Sequence, residues 1–232
     1  MFPAGRAPIP HVRGKSRRSF VGGDCGRSRG LVGAGPRDSH PTDTVCDVRD
    51  YARRKDALFA TLSGTVLEIG AGGGANFGRL PSRTGWIGME PDRRARTRLA
   101  RRASAAGRPQ RILAARAEEI PLPDASVDAV VATVVLCSVA DPPRVVTEVR
   151  RVLRPGGRFI FFEHVAAPDG TMSRRLQGMF APLTRRFDRG CDPTRTTEAT
   201  IRGAGFATVE IDTYGGGGLA IYSPYIAGVA IR

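Results

Sequence analysis

The run Val66-Leu67-Glu68-Ile69-Gly70-Ala71-Gly72-Gly73-Gly74-Ala75-Asn76 constrains this chain more than any other feature in it. A short apolar stretch, Thr65–Ile69, ends abruptly in glycines, the pattern of a buried strand delivered into a tight loop that opens a helix. Glycines let the backbone turn sharply and let a ligand lie directly against main-chain N–H groups. Glu90 follows about 20 residues later, at the end of a second strand, Gly85–Met89, where an acidic side chain takes both hydroxyls of a ribose. Strand, loop and carboxylate together point to a nucleoside site rather than to a merely tight turn.

The loop also narrows the ligand. A dinucleotide site carries G-x-G-x-x-G and aims a helix N-terminus at a pyrophosphate. This loop reads E-x-G-x-G-x-G, and the carboxylate of Glu68 would oppose a pyrophosphate. It suits a ligand with a cationic amino-acid end. S-adenosyl-L-methionine has one, together with a ribose and no phosphate.

Around the loop the hydrophobic period alternates. Strands are expected at 65–69, 85–89, 112–115, 128–135 and 158–165, and helices at 93–106 and 144–154, with another from the region 42–51 to about 62. In the helix at 144–154, Val145, Val149, Val152 and Leu153 share a face opposite Arg150, Arg151 and Arg154. Such alternation builds right-handed βαβ units. Two helical regions, 171–187 and 196–204, precede two β-like runs, 207–214 and 219–231. The expected fold is α/β, a Rossmann-like three-layer sandwich with a mostly parallel seven-stranded sheet and a C-terminal antiparallel edge hairpin. Residues 1–40, rich in Gly, Pro, Arg and Ser and without a hydrophobic period, read as a disordered basic tail before a domain at 41–232.

Charge and cysteine usage bound the partners. The 36 Lys and Arg outnumber 22 Asp and Glu, a formal net charge of +14, yet only Lys15 and Lys55 are lysines. Part of the excess sits in the tail, and the arginines of 93–102 lack the interleaved aromatics of a base-stacking surface. Nucleic acid is therefore not an expected partner; the oligomeric state is left open. The longest apolar stretch, 127–140, is interrupted by Asp128 and too short to span a bilayer, so no transmembrane segment is expected. The N-terminus has no apolar leader, which points to a cytoplasmic protein. Cys25, Cys46, Cys137 and Cys191 form no CxxC pair and the three histidines complete no zinc spacing, so free thiols and no metal site are expected.

VLEIGAGGGANF resembles motif I of the class I S-adenosylmethionine-dependent methyltransferases. The runs AEEIPLPDASVDAVVATVVL and EVRRVLRPGG resemble later motifs of that family's small-molecule branch. VVLCSV, RVLRPGGRFIFFEHVAAP, the G-C-x-x-x-R-x-T of 190–197 and GAGF are similar to one subgroup, the methyltransferase-like-seven alkyl-thiol methyltransferases and their bacterial relatives. The resemblance runs in order over roughly residues 50 to 232. It implies that Gly70, Ala71, Gly72, Gly74 and Asn76 frame the methionine and ribose, with Glu68 near the amino group. Glu90 would hold the ribose hydroxyls, Met89 or Pro91 would flank the adenine, and Ala117 and Glu118 would meet its edge. A departure lies at Arg116, where relatives often carry an acidic residue. Thr133 to Leu136 would lie where cofactor and acceptor meet.

Methyl transfer from a sulfonium is an in-line displacement in which the protein mainly aligns the reactants. A base is needed only for an oxygen, thiol or acidic-carbon acceptor. Glu163 and His164, at the end of the fifth strand, are the catalytic candidates; Leu136, Cys137 and Cys191 are candidates for the acceptor pocket. Arg195 either attracts an anionic acceptor or caps a helix. The resemblance implies methyl transfer from S-adenosylmethionine to a small-molecule acceptor, a thiol or a lipophilic compound; RNA methylation, a non-catalytic cofactor-binding subunit and, more distantly, a nicotinamide dehydrogenase are the rival readings.

Overall fold

Alternate residues of the central strands pack into two different cores, so a sheet covered on both faces follows directly from the sequence pattern. Val130, Ala132, Phe159 and Phe161 face one cluster, with Val145 and Val149, whereas Ala129, Val131, Ile160 and Phe162 face the other, with Phe59, Leu62 and Leu99. A strand buried on both sides has no polar face to show water, which is why these strands read as continuous apolar runs.

The computed structural model describes residues 46–108, 111–215 and 223–232. The elements are β1 (Cys46–Asp47), α1 (Val48–Ala60), β2 (Thr65–Ile69), β3 (Gly85–Met89), α2 (Arg93–Ala105), β4 (Ile112–Leu113), β5 (Val127–Thr133), α3 (Pro142–Val152), β6 (Leu153–His164), α4 (Met172–Phe187), α5 (Thr197–Arg202), β7 (Thr208–Gly215) and β8 (Tyr225–Ile231). The sheet runs β1-β7-β8-β6-β5-β2-β3-β4. Strands β6, β5, β2, β3 and β4 are parallel, and β8 is antiparallel to both β6 and β7. The order reverses between β2 and β5, and loops leaving the carboxyl ends of strands at such a reversal splay apart and leave a crevice.

Helix starts are marked by side chains that satisfy otherwise orphaned N–H groups. Asp92 accepts from Ala95 N at 2.6 Å to begin α2, Asp141 from Arg144 N at 3.0 Å to begin α3, and Thr171 from Arg174 N at 3.1 Å to begin α4. In α2, Ala95, Leu99 and Ala103 are buried at four-residue intervals, while Arg93, Arg94, Arg98, Arg101 and Arg102 are exposed. The arginine run is thus the solvated face of a helix. Helix α4 differs, exposing Met172, Met179, Leu183 and Phe187. Among the described residues no helix is long and apolar enough to cross a membrane.

The structure departs from the expected layout in three places. No helix follows the glycine loop; residues 72–79 are successive turns, with Gly74 N–H on Ala71 O at 2.9 Å and Arg79 N–H on Asn76 O at 2.9 Å. Gly70, Gly72 and Gly74 have φ of 58°, 55° and 81°, values a right-handed helix excludes. The sheet has eight strands, because the two-residue β1 pairs in parallel with β7 outside the hairpin; a strand of two residues carries no period to read. Cys46 is disulfide-bonded, so among the described residues the free thiols are Cys137 and Cys191. The tail at 1–40 and positions 219–222 of the expected last strand lie outside the described residues.

Candidate active site

A cavity of about 830 Å³ opens where the sheet order reverses. It is bordered by Gly70 and Gly72 after β2, Glu90 and Pro91 after β3, and Ala117 and Glu118 after β4. Thr133 at the end of β5, Val134, Val135 and Val139 beyond it, and Asp188, Arg189 and Cys191 after α4 complete the lining. Residues distant in sequence thus meet at one carboxyl edge.

The Glu90 carboxylate accepts from Gly72 N at 2.9 Å through one oxygen and from Asp92 N at 2.9 Å through the other. A carboxylate has about four lone-pair sites, so each oxygen keeps one for a ligand hydroxyl. A Cβ on Gly72 would meet no atom closer than 3.9 Å, which marks open space on the cavity side of the loop. An uncharged ribose and a backbone-hugging chain fit against this loop.

Several expected residues stand behind the loop instead of in the cavity wall. Glu68 is 2% exposed and accepts from Asn76 Nδ2 at 2.7 Å and Trp86 Nε1 at 2.9 Å; burial holds its carboxyl above the ordinary range. Asn76 also donates toward Thr133 Oγ1 at 3.3 Å, tying the glycine loop to the end of β5. Ala71 donates to Met89 O at 3.0 Å, and Gly74 packs beside Phe77. Glu118 does border the cavity, where Ala140 N–H at 2.9 Å and Arg116 hold it. Burial pushes its carboxyl up, and these hydrogen bonds outweigh burial and hold it below the usual value.

The turn after β5 is strained. Val134 has φ of 55°, which a β-branched residue adopts only under constraint. Three hydrogen bonds supply that constraint. Val134 N–H reaches Phe162 O at 2.8 Å, and the buried Glu163 carboxylate accepts from Val135 N at 2.9 Å and, more weakly, from Cys137 N at 3.4 Å. Burial raises the Glu163 carboxyl to about 7, against the pull of those N–H groups. Glu163 faces the turn rather than the cavity, and Leu136 is fully buried beneath it.

His164 stacks edge-on against Tyr225 with ring centroids 4.9 Å apart, and its Nδ1 lies near the sulfurs of Cys137 and Cys191. The close Cys191 sulfur, with burial, holds the Cys137 thiol far above its usual range. Arg195 donates to Val139 O at 2.7 Å and its carbonyl accepts from Ala166 N at 3.0 Å, so it clips the 190–197 segment to the turn after β5. Sequence reasoning missed Ser138, Val139, Asp188 and Arg189 in the wall; only their nearness to the VVLCSV and 190–197 motifs could have marked them.

A family of sequences described as a methyltransferase domain matches residues 67–161. Thiol S-methyltransferase TMT1B of Homo sapiens is 35% identical over 175 residues, covering 71% of this chain and 72% of the relative. The chain belongs to the class I S-adenosylmethionine-dependent methyltransferases. Thiol S-methyltransferase TMT1A of Homo sapiens is also 35% identical to this methyltransferase, over 72% of the chain and 73% of the relative. A solved S-adenosylmethionine-dependent methyltransferase of Thermotoga maritima, described as a possible histamine N-methyltransferase, shares the fold. Its TM-score is 0.58 at 20% identity, over 80% of this chain and 96% of that one. The methyltransferase uses S-adenosylmethionine and methylates a small-molecule acceptor.

Proposed function

We propose that the acceptor is a small lipophilic thiol, methylated on sulfur, and that the cavity divides into a cofactor end and an acceptor end. Gly70 and Gly72 offer backbone to the methionine and ribose, Glu90 takes the ribose hydroxyls, Pro91 flanks the adenine, and Ala117 and Glu118 meet its edge. Glu68 and Asn76 serve by holding the loop. The observation that carries the acceptor reading is the character of the far wall, where Val134, Val135 and Val139 stand beside the Cys191 thiol. Helix α4 leads to that wall with an exposed apolar stripe ending in Phe187, next to Asp188. The names of the two human relatives point to the same atom.

Bound S-adenosylmethionine supplies an electrophilic methyl on a sulfonium. The chain's task is alignment and exclusion of water. Thr133 and Val134 lie where β5 runs into the turn fixed by Glu163, and so set the line along which an acceptor lone pair approaches. Purified protein with S-adenosylmethionine and separate alkyl thiol, amine, phenol and RNA acceptors tests this by mass spectrometry. The S-methyl product is expected; turnover of the amine, the phenol or RNA without the thiol would overturn it. Glu90→Ala should weaken S-adenosylhomocysteine binding by about 1–3 kcal/mol in calorimetry, the value of a charged hydrogen bond.

A further inference from the structure

We propose that Cys137, His164 and Cys191 form a zinc site whose fourth position is offered to the acceptor thiol. The site stands on geometry alone; its use in catalysis rests on the thiol reading above. The Cys137 and Cys191 sulfurs are 3.5 Å apart, Cys191 Sγ is 3.5 Å from His164 Nδ1, and Cys137 Sγ is 3.9 Å from the same nitrogen. Zinc with sulfur at about 2.3 Å and nitrogen at about 2.0–2.1 Å in a tetrahedron has S–S edges of roughly 3.8 Å and S–N edges of roughly 3.6 Å. All three observed edges lie close to those lengths, so a zinc ion fits with small movements of side chains.

Three separate segments bring the ligands together, and their backbones are already joined. Asp192 N–H donates to Cys137 O at 2.8 Å, linking the loop of one cysteine to that of the other. Arg195 links the same segment to the residue two beyond His164, through the Ala166 hydrogen bond. Gly190, with φ of 86°, runs so near the turn that a Cβ there would lie 3.1 Å from Ser138 O. These ties fix the positions of the donor atoms before any metal arrives. A cluster that only filled space would not require an imidazole nitrogen aimed at two sulfurs.

Two sulfurs and one nitrogen leave one coordination position, the pattern of catalytic rather than structural zinc. Cys191 borders the cavity, so that position is within reach of an acceptor. On binding, the acceptor thiol releases its proton to water and its sulfur becomes a zinc-held thiolate. The sulfur lone pair forms the new bond to the methyl carbon as the methyl–sulfonium bond breaks, and that electron pair stays on the cofactor's sulfur. The products are a methyl thioether and S-adenosylhomocysteine, and the neutral thioether is a weaker zinc ligand than the thiolate it replaces.

The test is the metal content of the purified wild-type chain, followed by Co²⁺ alone added to protein stripped with a chelator. About one zinc per chain and a thiolate-to-cobalt charge-transfer band that shifts on adding ethanethiol are expected. C191S should lower zinc affinity by about tenfold or more while S-adenosylhomocysteine affinity stays unchanged. Wild-type chain that holds no zinc and gives no cobalt band overturns the proposal. So does a C191S chain that keeps its zinc, or a disulfide joining Cys137 to Cys191. Cofactor binding is measured in parallel: absence of metal with cofactor bound sinks the zinc site alone, whereas metal without cofactor binding sinks the methyl-transfer assignment of the cavity.

Discussion

Two residues at the junction of the glycine loop and the β5 turn show how tightly the site is cut. Gly70 has φ of 58°, and a Cβ there would lie 2.5 Å from Val135 Cγ2. Both constraints fall on one position, so Gly70→Ala adds left-handed strain of about 1–2 kcal/mol and overpacking of about 1–3 kcal/mol. The expected loss of stability, read as a lower urea midpoint, comes with weaker cofactor binding. The opposite sign is expected at Val134, whose side chain is 36% exposed. Val134→Asn puts a residue tolerant of left-handed φ where a β-branched one is strained, and should raise the urea midpoint by the equivalent of about 1 kcal/mol. Turnover should fall if Val134 shapes the acceptor wall. The glycines were legible in the sequence because their role is local. The strain at Val134 was not, because Glu163, which helps impose it, lies 28 residues beyond the neighbouring Val135.

At the scale of elements, α3 anchors the segment after β4 that borders the cavity. Glu148 on α3 accepts from Ile120 N at 2.9 Å and pairs with Arg151, which also reaches Ile120 O, Leu122 O and Asp124. The Arg151 guanidinium, outweighing burial, holds the Glu148 carboxyl below its usual value. Because the folded pKa is depressed, this stability is present above the unfolded-state pKa and is lost as pH falls through the folded value. Glu148→Gln should cost about 1.5–3 kcal/mol near neutrality, and the gap to wild type should narrow in acid denaturation monitored by circular dichroism. Most elements were readable: β2, β3, α2, β5, α3 and α4 begin and end within a few residues of where apolar period and caps place them. The helix expected after the glycine loop was not there, because three left-handed glycines outvote the period that follows them. The two-residue β1 is defined by its neighbour β7 rather than by anything in its own sequence.

For the molecule as a whole, binding and folding are linked. The cavity is built from the ends of four strands and a segment after α4, so a ligand that fills it favours only the folded chain. S-adenosylhomocysteine at about 100 times its Kd should stabilise the protein by about 2.7 kcal/mol, read as a rise in thermal midpoint; NAD at the same excess should give none. The residues proposed for the cofactor could be picked out from the sequence because they lie between Glu68 and Glu118, with strand, loop and carboxylate in order. The Cys137–His164–Cys191 cluster was invisible, since its members stand 27 residues apart on either side of His164 and no local spacing announces them.

The reversal of strand order between β2 and β5 has a consequence for ancestry and for engineering. On the proposed division of the cavity, one side of it would serve a reagent common to many reactions, and the other a single customer. Replacing the turn after β5 together with 188–197 should therefore exchange one clientele for another, while the segments proposed to handle the shared reagent remain as they are.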